Sequence, residues 1–138
     1  MKKILYISLL AFVLNFVWEI GQAFLYSPHY VGWIGLIMVH LRASIGDVLI
    51  VCIIILLDAI IFRSLFMYRN GDLKRLLIIA IIGFIFAVLV EKYALITGRW
   101  SYGPMMPIIP FFHVGLLPIL QMIVIPVSIV AIVKKKKD

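Results

Sequence analysis

Four long apolar runs divide this chain, separated by short stretches rich in polar residues, glycine or proline. A helix that crosses a bilayer takes about 20 mostly apolar residues. Four segments meet that length, at about 4–25, 43–62, 76–96 and 114–133. The first has no charge between Lys3 and Glu19, the second carries Asp47 near one end and Asp58 near the other, and the third is interrupted by Glu91 and Lys92. Ser27-Pro28 and Gly32 break the chain after the first run, and Arg69-Asn70-Gly71-Asp72 reads as a polar turn between the second and third. The stretch 98–110 holds two glycines and three prolines and reads as a loop. Pro118 and Pro126 are expected to bend the last span, which a membrane helix tolerates when neighbours satisfy the freed carbonyls. The pattern predicts an all-α, polytopic membrane protein with four transmembrane helices in a single domain.

Composition agrees. Of 138 residues, 65% are hydrophobic and 14% charged, where a soluble domain averages about 45–50% and about 25%. Mean hydropathy is +1.20. A water-soluble core cannot absorb this much apolar surface, and disorder, a disulfide scaffold and nucleic-acid binding are all disfavoured. The single Cys52 has no internal partner and reads as a packing residue.

The net charge of +7 lies in blocks that set orientation. Ten of the thirteen cations are Lys2, Lys3, Arg63, Arg69, Lys74, Arg75 and the tail 134–137; the other three are Arg42, Lys92 and Arg99. Cationic loops stay on the cytoplasmic side, so the chain is expected to be a multi-pass protein of the cell membrane with both termini in the cytoplasm. Lys2 and Lys3 before an apolar run mimic a signal peptide, but no small-residue cleavage site follows and the first span is expected to be retained.

This orientation brings most of the unusual polar residues to one extracytoplasmic level. Asn15, Trp18, Glu19 and Gln22 stand at i, i+3, i+4 and i+7, one face of a helix. His40, Ser44 and Asp47 repeat that geometry, and Glu91 continues a small-residue line through Gly83 and Ala87. Arg99, Trp100 and Tyr102 follow in the loop, then His113 at the mouth of the last span and Gln121 in its outer half. Charged groups in a bilayer turn inward and find partners. Three carboxylates at one depth point to a site, whereas Asp58 beside Arg63 reads as a structural pair at the opposite face. Asn15 and Gln22 also fit interhelical hydrogen bonding alone, and Trp33, Trp100 and Tyr102 also fit an interfacial aromatic belt.

The segment Leu14-Asn15-Phe16-Val17-Trp18-Glu19 resembles the Asn-x-x-Trp-Glu signature of integral-membrane terpene cyclases of fungal meroterpenoid and indole-diterpene pathways. The resemblance covers one helix and implies that Glu19 protonates an isoprenoid with the help of an aspartate elsewhere. Over its whole length the chain is similar to small, uncharacterised bacterial four-span proteins, through Asn15-x-x-Trp18-Glu19, His40, Gly46-Asp47, Glu91, Gly98-Arg99-Trp100-x-Tyr102, Met106-Pro107 and Leu117-Pro118-x-x-Gln121.

The leading expectation is a small membrane enzyme acting on a lipid or isoprenoid at the outer leaflet by acid–base chemistry. Glu19 would donate a proton, Asp47 or Glu91 accept or relay it, and His40 serve as an alternative base. Asn15, Trp18, Gln22, Tyr26, Arg99, Trp100, Tyr102 and Gln121 form the expected substrate-binding set. The faces of Trp18, Tyr26, Trp100 and Tyr102 are suited to a developing cation, and Arg99 is expected to pair with Glu91 or Asp47 from a loop that caps the site. Two other readings remain open: a proton-coupled carrier or channel subunit that self-associates through Gly83 and Ala87, and a non-enzymatic lipid binder. His40, Asp47, Glu19 and His113 are the donors a metal would use, but no ligand motif is present, and neither metal nor cofactor is expected.

Overall fold

The computed structural model describes residues 2–63 and 72–135. The turn expected at 69–71 and the side chains of the lysine tail at 134–137 lie outside the described residues. Four helices carry the chain: α1 (Lys2–Gln22), α2 (Gly32–Ile61), α3 (Leu73–Ile96) and α4 (Leu116–Lys135). Each is long and apolar enough to cross a membrane. A 3-10 turn at Ala23–Leu25 closes α1, and a small antiparallel hairpin of β1 (Ile108–Ile109) and β2 (Val114–Gly115) precedes α4.

The helices alternate in direction and pack in a ring, each against its neighbours in sequence and α4 against α1. The start of α1, the end of α2, the start of α3 and the end of α4 share one end of the bundle. The other end carries the α1–α2 segment and the long segment from α3 to α4. The α3–α4 and α1–α2 seams are extensive and the α2–α3 seam is thin. Ile7, Ala11, Val51, Ile54, Ile79, Ile125 and Ile129 form a buried apolar core toward the termini. Apolar residues also cover the outside: Leu5, Leu9, Val13 and Val17 on α1, and Leu77, Ile81, Ile85 and Leu89 on α3, are exposed at steps of four. In water such stripes would be association surfaces; against lipid they are the solvated face.

Three local features differ from the expectation. First, α2 begins at Gly32 rather than near 43, because its early polar residues do not interrupt it. His40 Nδ1–H donates to the Leu36 carbonyl (2.7 Å) and Ser44 Oγ–H to the His40 carbonyl (2.7 Å), so both are satisfied within the helix. At 30 residues and about 1.5 Å per residue, α2 is longer than the about 30 Å hydrocarbon layer requires. Second, Pro118 occupies the first turn of α4, where a missing N–H leaves no helical acceptor unpaired; Pro126 alone stands inside that helix. Third, Asp58 pairs with Arg75, not Arg63. Arg75 Nε lies 2.9 Å from both carboxylate oxygens and its terminal nitrogen 2.6 Å from Oδ2, with both side chains buried. Arg63 lies past the end of α2, exposed, at φ 48°. Phe62 stacks on the guanidinium at 4.9 Å.

Two glycines set the geometry near the site. A Cβ on Gly83 would stand 2.0 Å from the Met122 carbonyl oxygen, so the α3–α4 approach requires glycine there. Gly83 and Ala87 are therefore both buried inside the chain, and Gly83 faces α4 rather than a second copy. Gly98, at φ +67°, ends α3: the Arg99 N–H donates to Ala94 O (2.9 Å) and the Gly98 N–H to Leu95 O (3.3 Å). This left-handed cap turns the chain back over the bundle.

Candidate functional site

The polar stripe of α1 meets α4 through a pair of amides. Gln22 Nε2 donates to Glu19 Oε1 (3.0 Å) and to Gln121 Oε1 (2.9 Å), while Gln22 Oε1 accepts from Trp18 Nε1 (3.1 Å). Gln121 Nε2 donates to Asn15 Oδ1 (2.9 Å) and to Asp47 Oδ2 (3.0 Å). An amide nitrogen has two N–H groups, and all four of this pair are engaged. Asn15 is anchored in turn by its Nδ2–H to Ala11 O (2.8 Å). The network thus joins α1, α2 and α4 and fixes Glu19 and Asp47 at its edges.

Glu91 is held separately, from the loop. Trp100 Nε1 (3.3 Å) and the Tyr102 hydroxyl both donate to its Oε2, and Tyr102 Oη accepts the Gly115 N–H (2.8 Å). Gly115 has no side chain because one would press on Met106 and the Tyr102 ring. The loop is also stitched to the segment after α1: Ser27 N–H to Ser101 O (2.9 Å), Gly103 N–H to Leu25 O (2.8 Å), and Ser27 Oγ–H to Tyr102 O (3.1 Å). Tyr26 packs edge-on against Trp100 and beside Tyr102, and His29 bridges Tyr26, Tyr30 and His40. Two backbone segments and an aromatic cluster close this end of the bundle.

Between α2 and α3, beneath that closure, lies a cavity of about 600 Å³, within the roughly 300–1,000 Å³ of small-molecule sites. Glu19, Asp47 and Glu91 all line it, with His40, Tyr26, Arg99, Trp100 and Gln121 from the expected set. Asp47 Oδ1 and Glu91 Oε1 accept no hydrogen bond among the described residues, and no buried side-chain nitrogen or oxygen there lacks a partner. Those two oxygens therefore have open space beside them. The Tyr26 hydroxyl likewise has no protein partner among the described residues. Burial, and after it the Glu91 and Glu19 carboxylates, push the Tyr26 phenol far above its usual range; burial and the bond to Glu91 do the same for Tyr102. Both phenols keep their protons.

Asn15, Trp18, Gln22 and Tyr102 do not line the cavity; they hold the residues that do. Trp18 packs against the core, so its ring is not a wall of the site. The expected pairing of Arg99 with Glu91 or Asp47 is not formed: Arg99 lines the cavity but is exposed and has no ion pair among the described residues, and Trp100 and Tyr102 occupy Glu91 instead. His113 is exposed on the hairpin, outside the cavity. His29, Arg42, Gly46 and Ile50 also line the cavity, outside the expected set. The aromatic run Tyr26-x-x-His29-Tyr30 beside a helix end was the available signal for His29. Among the described residues no three His, Cys, Asp or Glu side chains are grouped to hold a metal ion. Comparison with protein-family models, with curated proteins and with solved structures finds no match to this chain.

Proposed function

We propose that the protein is a membrane enzyme that acts on a lipid or isoprenoid by carboxylate acid–base chemistry. One observation carries this reading: Glu19, Asp47 and Glu91, from three different helices, line one cavity, each held through one oxygen by a donor of the protein. Positioned carboxyl groups are the usual equipment for moving a proton to and from a reacting carbon or oxygen. Glu19 serves as the donor, and Asp47 and Glu91, each with an oxygen open to the cavity, as acceptors. His40 has its Nδ1–H committed to Leu36, which leaves Nε2 as a further base. Trp100 and Tyr26 provide ring faces for a developing cation, and Tyr26 a phenol O–H.

The distribution of polarity supports a one-sided site rather than a transmembrane relay. Below the cavity the buried residues Val51, Ile54, Ile55 and Ile79 are apolar, and the next buried charges, Asp58 and Arg75, are bound to each other. The orientation that the cation blocks favour, with both termini cytoplasmic, sets the cavity in the outer half of the cell membrane. The protein purified in mild detergent, with its copurified lipids identified by mass spectrometry, supplies candidate substrates. Glu19→Gln and Asp47→Asn are each expected to abolish product formation while insertion is unchanged. Full activity in both variants would overturn the assignment.

A further inference from the structure

Two arginine side chains stand at the cavity without a partner among the described residues. Arg42 comes from α2 and Arg99 from the loop after α3; both line the cavity, both are exposed, and neither side chain makes a hydrogen bond or ion pair among the described residues. They lie on the closed-end side of the carboxylates. Arg42 is more than one helical turn above Asp47 on α2, and Arg99 follows the end of the helix that carries Glu91. The opposite part of the cavity is apolar, lined by Ile50, Ala87 and Met122. The site therefore grades from two guanidinium groups, through three carboxylates, to hydrocarbon.

A way in from the bilayer completes the pattern. Gly46 lines the cavity and is exposed, and a Cβ there would meet nothing within 4 Å. Ala43 and Ile50, one turn to either side of it on α2, also line the cavity, and the α2–α3 seam is thin. Gly46 thus marks a point, at the depth of Asp47, where the cavity lining reaches the outside of the bundle.

We propose that the ligand is an amphiphile with a phosphate-bearing headgroup, held by Arg42 and Arg99, whose chain passes Gly46 between α2 and α3. Planar guanidinium groups recognise phosphate oxygens through paired N–H donors. Two of them offset the repulsion that an anion meets beside three carboxyl groups. The proposal rests on the acid–base reading of the cavity for its orientation but concerns binding alone.

The test is binding to the purified full chain in detergent, read by quenching of tryptophan fluorescence, with Trp100 at the cavity wall as the reporter. The probes are geranylgeranyl phosphate, geranylgeraniol and inorganic phosphate. The expected result is that the phosphorylated lipid binds at least tenfold more tightly than the alcohol, and that inorganic phosphate does not compete at equal concentration. Arg42→Gln and Arg99→Gln together remove the preference for the phosphorylated lipid, about tenfold or more for loss of charge-assisted hydrogen bonds. Lys92→Gln, a cation outside the cavity, leaves it unchanged. Gly46→Phe weakens both lipids alike. Equal binding of phosphate and alcohol forms, competition by inorganic phosphate, or a preference that survives the double substitution would each overturn the proposal. Glu19→Gln separates this from the catalytic reading: it retains the headgroup preference even where product formation is lost, and an inactive wild-type protein that still prefers the phosphate would sink only the catalytic reading.

Discussion

Gln22 and Gln121 are 99 positions apart in the chain, yet Gln22 Nε2 lies 2.9 Å from Gln121 Oε1 at the junction of α1 and α4. Three hydrogen bonds to different helices or to α1 positions converge on Gln121. At about 0.6 kcal/mol for an average interhelical bond in a membrane protein, Gln121→Leu is expected to cost about 2 kcal/mol. Equilibrium unfolding in mixed detergent micelles measures this, and a loss too small to detect would mean that the network does not stabilise the bundle.

The Asp58–Arg75 pair should behave differently from its parts. Removing one partner takes away the other's buried ion pair and costs about 3–5 kcal/mol, while replacing both with apolar residues of similar size is close to neutral. Asp58→Leu and Arg75→Met are each expected to reduce the yield of folded protein sharply, and the double variant to recover it. A double variant as poor as either single one would contradict the pairing.

Gly83 and Gly46 make opposite predictions for the same substitution. Alanine at Gly83 drives a methyl into the Met122 carbonyl, which must move the α3–α4 backbone and is expected to cost about 1–3 kcal/mol or more. Alanine at Gly46 meets open space and is expected to leave thermal stability unchanged. Melting of the two purified variants side by side decides whether the close approach lies where α3 and α4 pack.

Alkaline pH provides a test of the closed end. Tyr26 and Tyr102 both hold their protons above the ordinary phenol value of 10.0. A group whose pKa is raised on folding contributes stability that is complete below its unfolded value and is lost as pH rises past it. The melting temperature should therefore fall as pH increases beyond about 10, the phenol value in unfolded chains. The Tyr26→Phe, Tyr102→Phe double variant should fall less steeply over the same interval. Identical slopes would show that neither phenol is shielded.

The spacing of Asn15, Trp18, Glu19 and Gln22 is sufficient to anticipate one polar face, because helical periodicity depends only on local geometry. The four do share one network in the structure. Helix count was legible for the same reason. Which residues stand at the wall and which stand behind it was not, since that depends on how α1 and α4 rotate against each other. Trp18 and Tyr102 read as ligand-facing aromatics, yet one packs on the core and the other lends its hydroxyl to Glu91. The early start of α2 was hidden because His40 and Ser44 look like interruptions until their hydrogen bonds to the preceding turn are seen. Asp58 found Arg75 rather than the nearer Arg63 because partners in a bundle are chosen across helices, and sequence distance is a poor guide there.

The engaged amide pair has a kinetic meaning as well as a structural one. Gln22 holds Glu19, Gln121 holds Asp47, and the two glutamines are bonded to each other, so a change at one acid is felt mechanically by the other. A carboxamide, however, neither takes up nor releases a proton near neutral pH, unlike a water chain or an imidazole. Gln22 and Gln121 therefore act as an insulator: no proton can hop from Glu19 to Asp47 through the bonds that link them. Each acid must exchange with whatever occupies the cavity, so a proton that passes from one to the other has to travel through the cavity's contents and not through the amides.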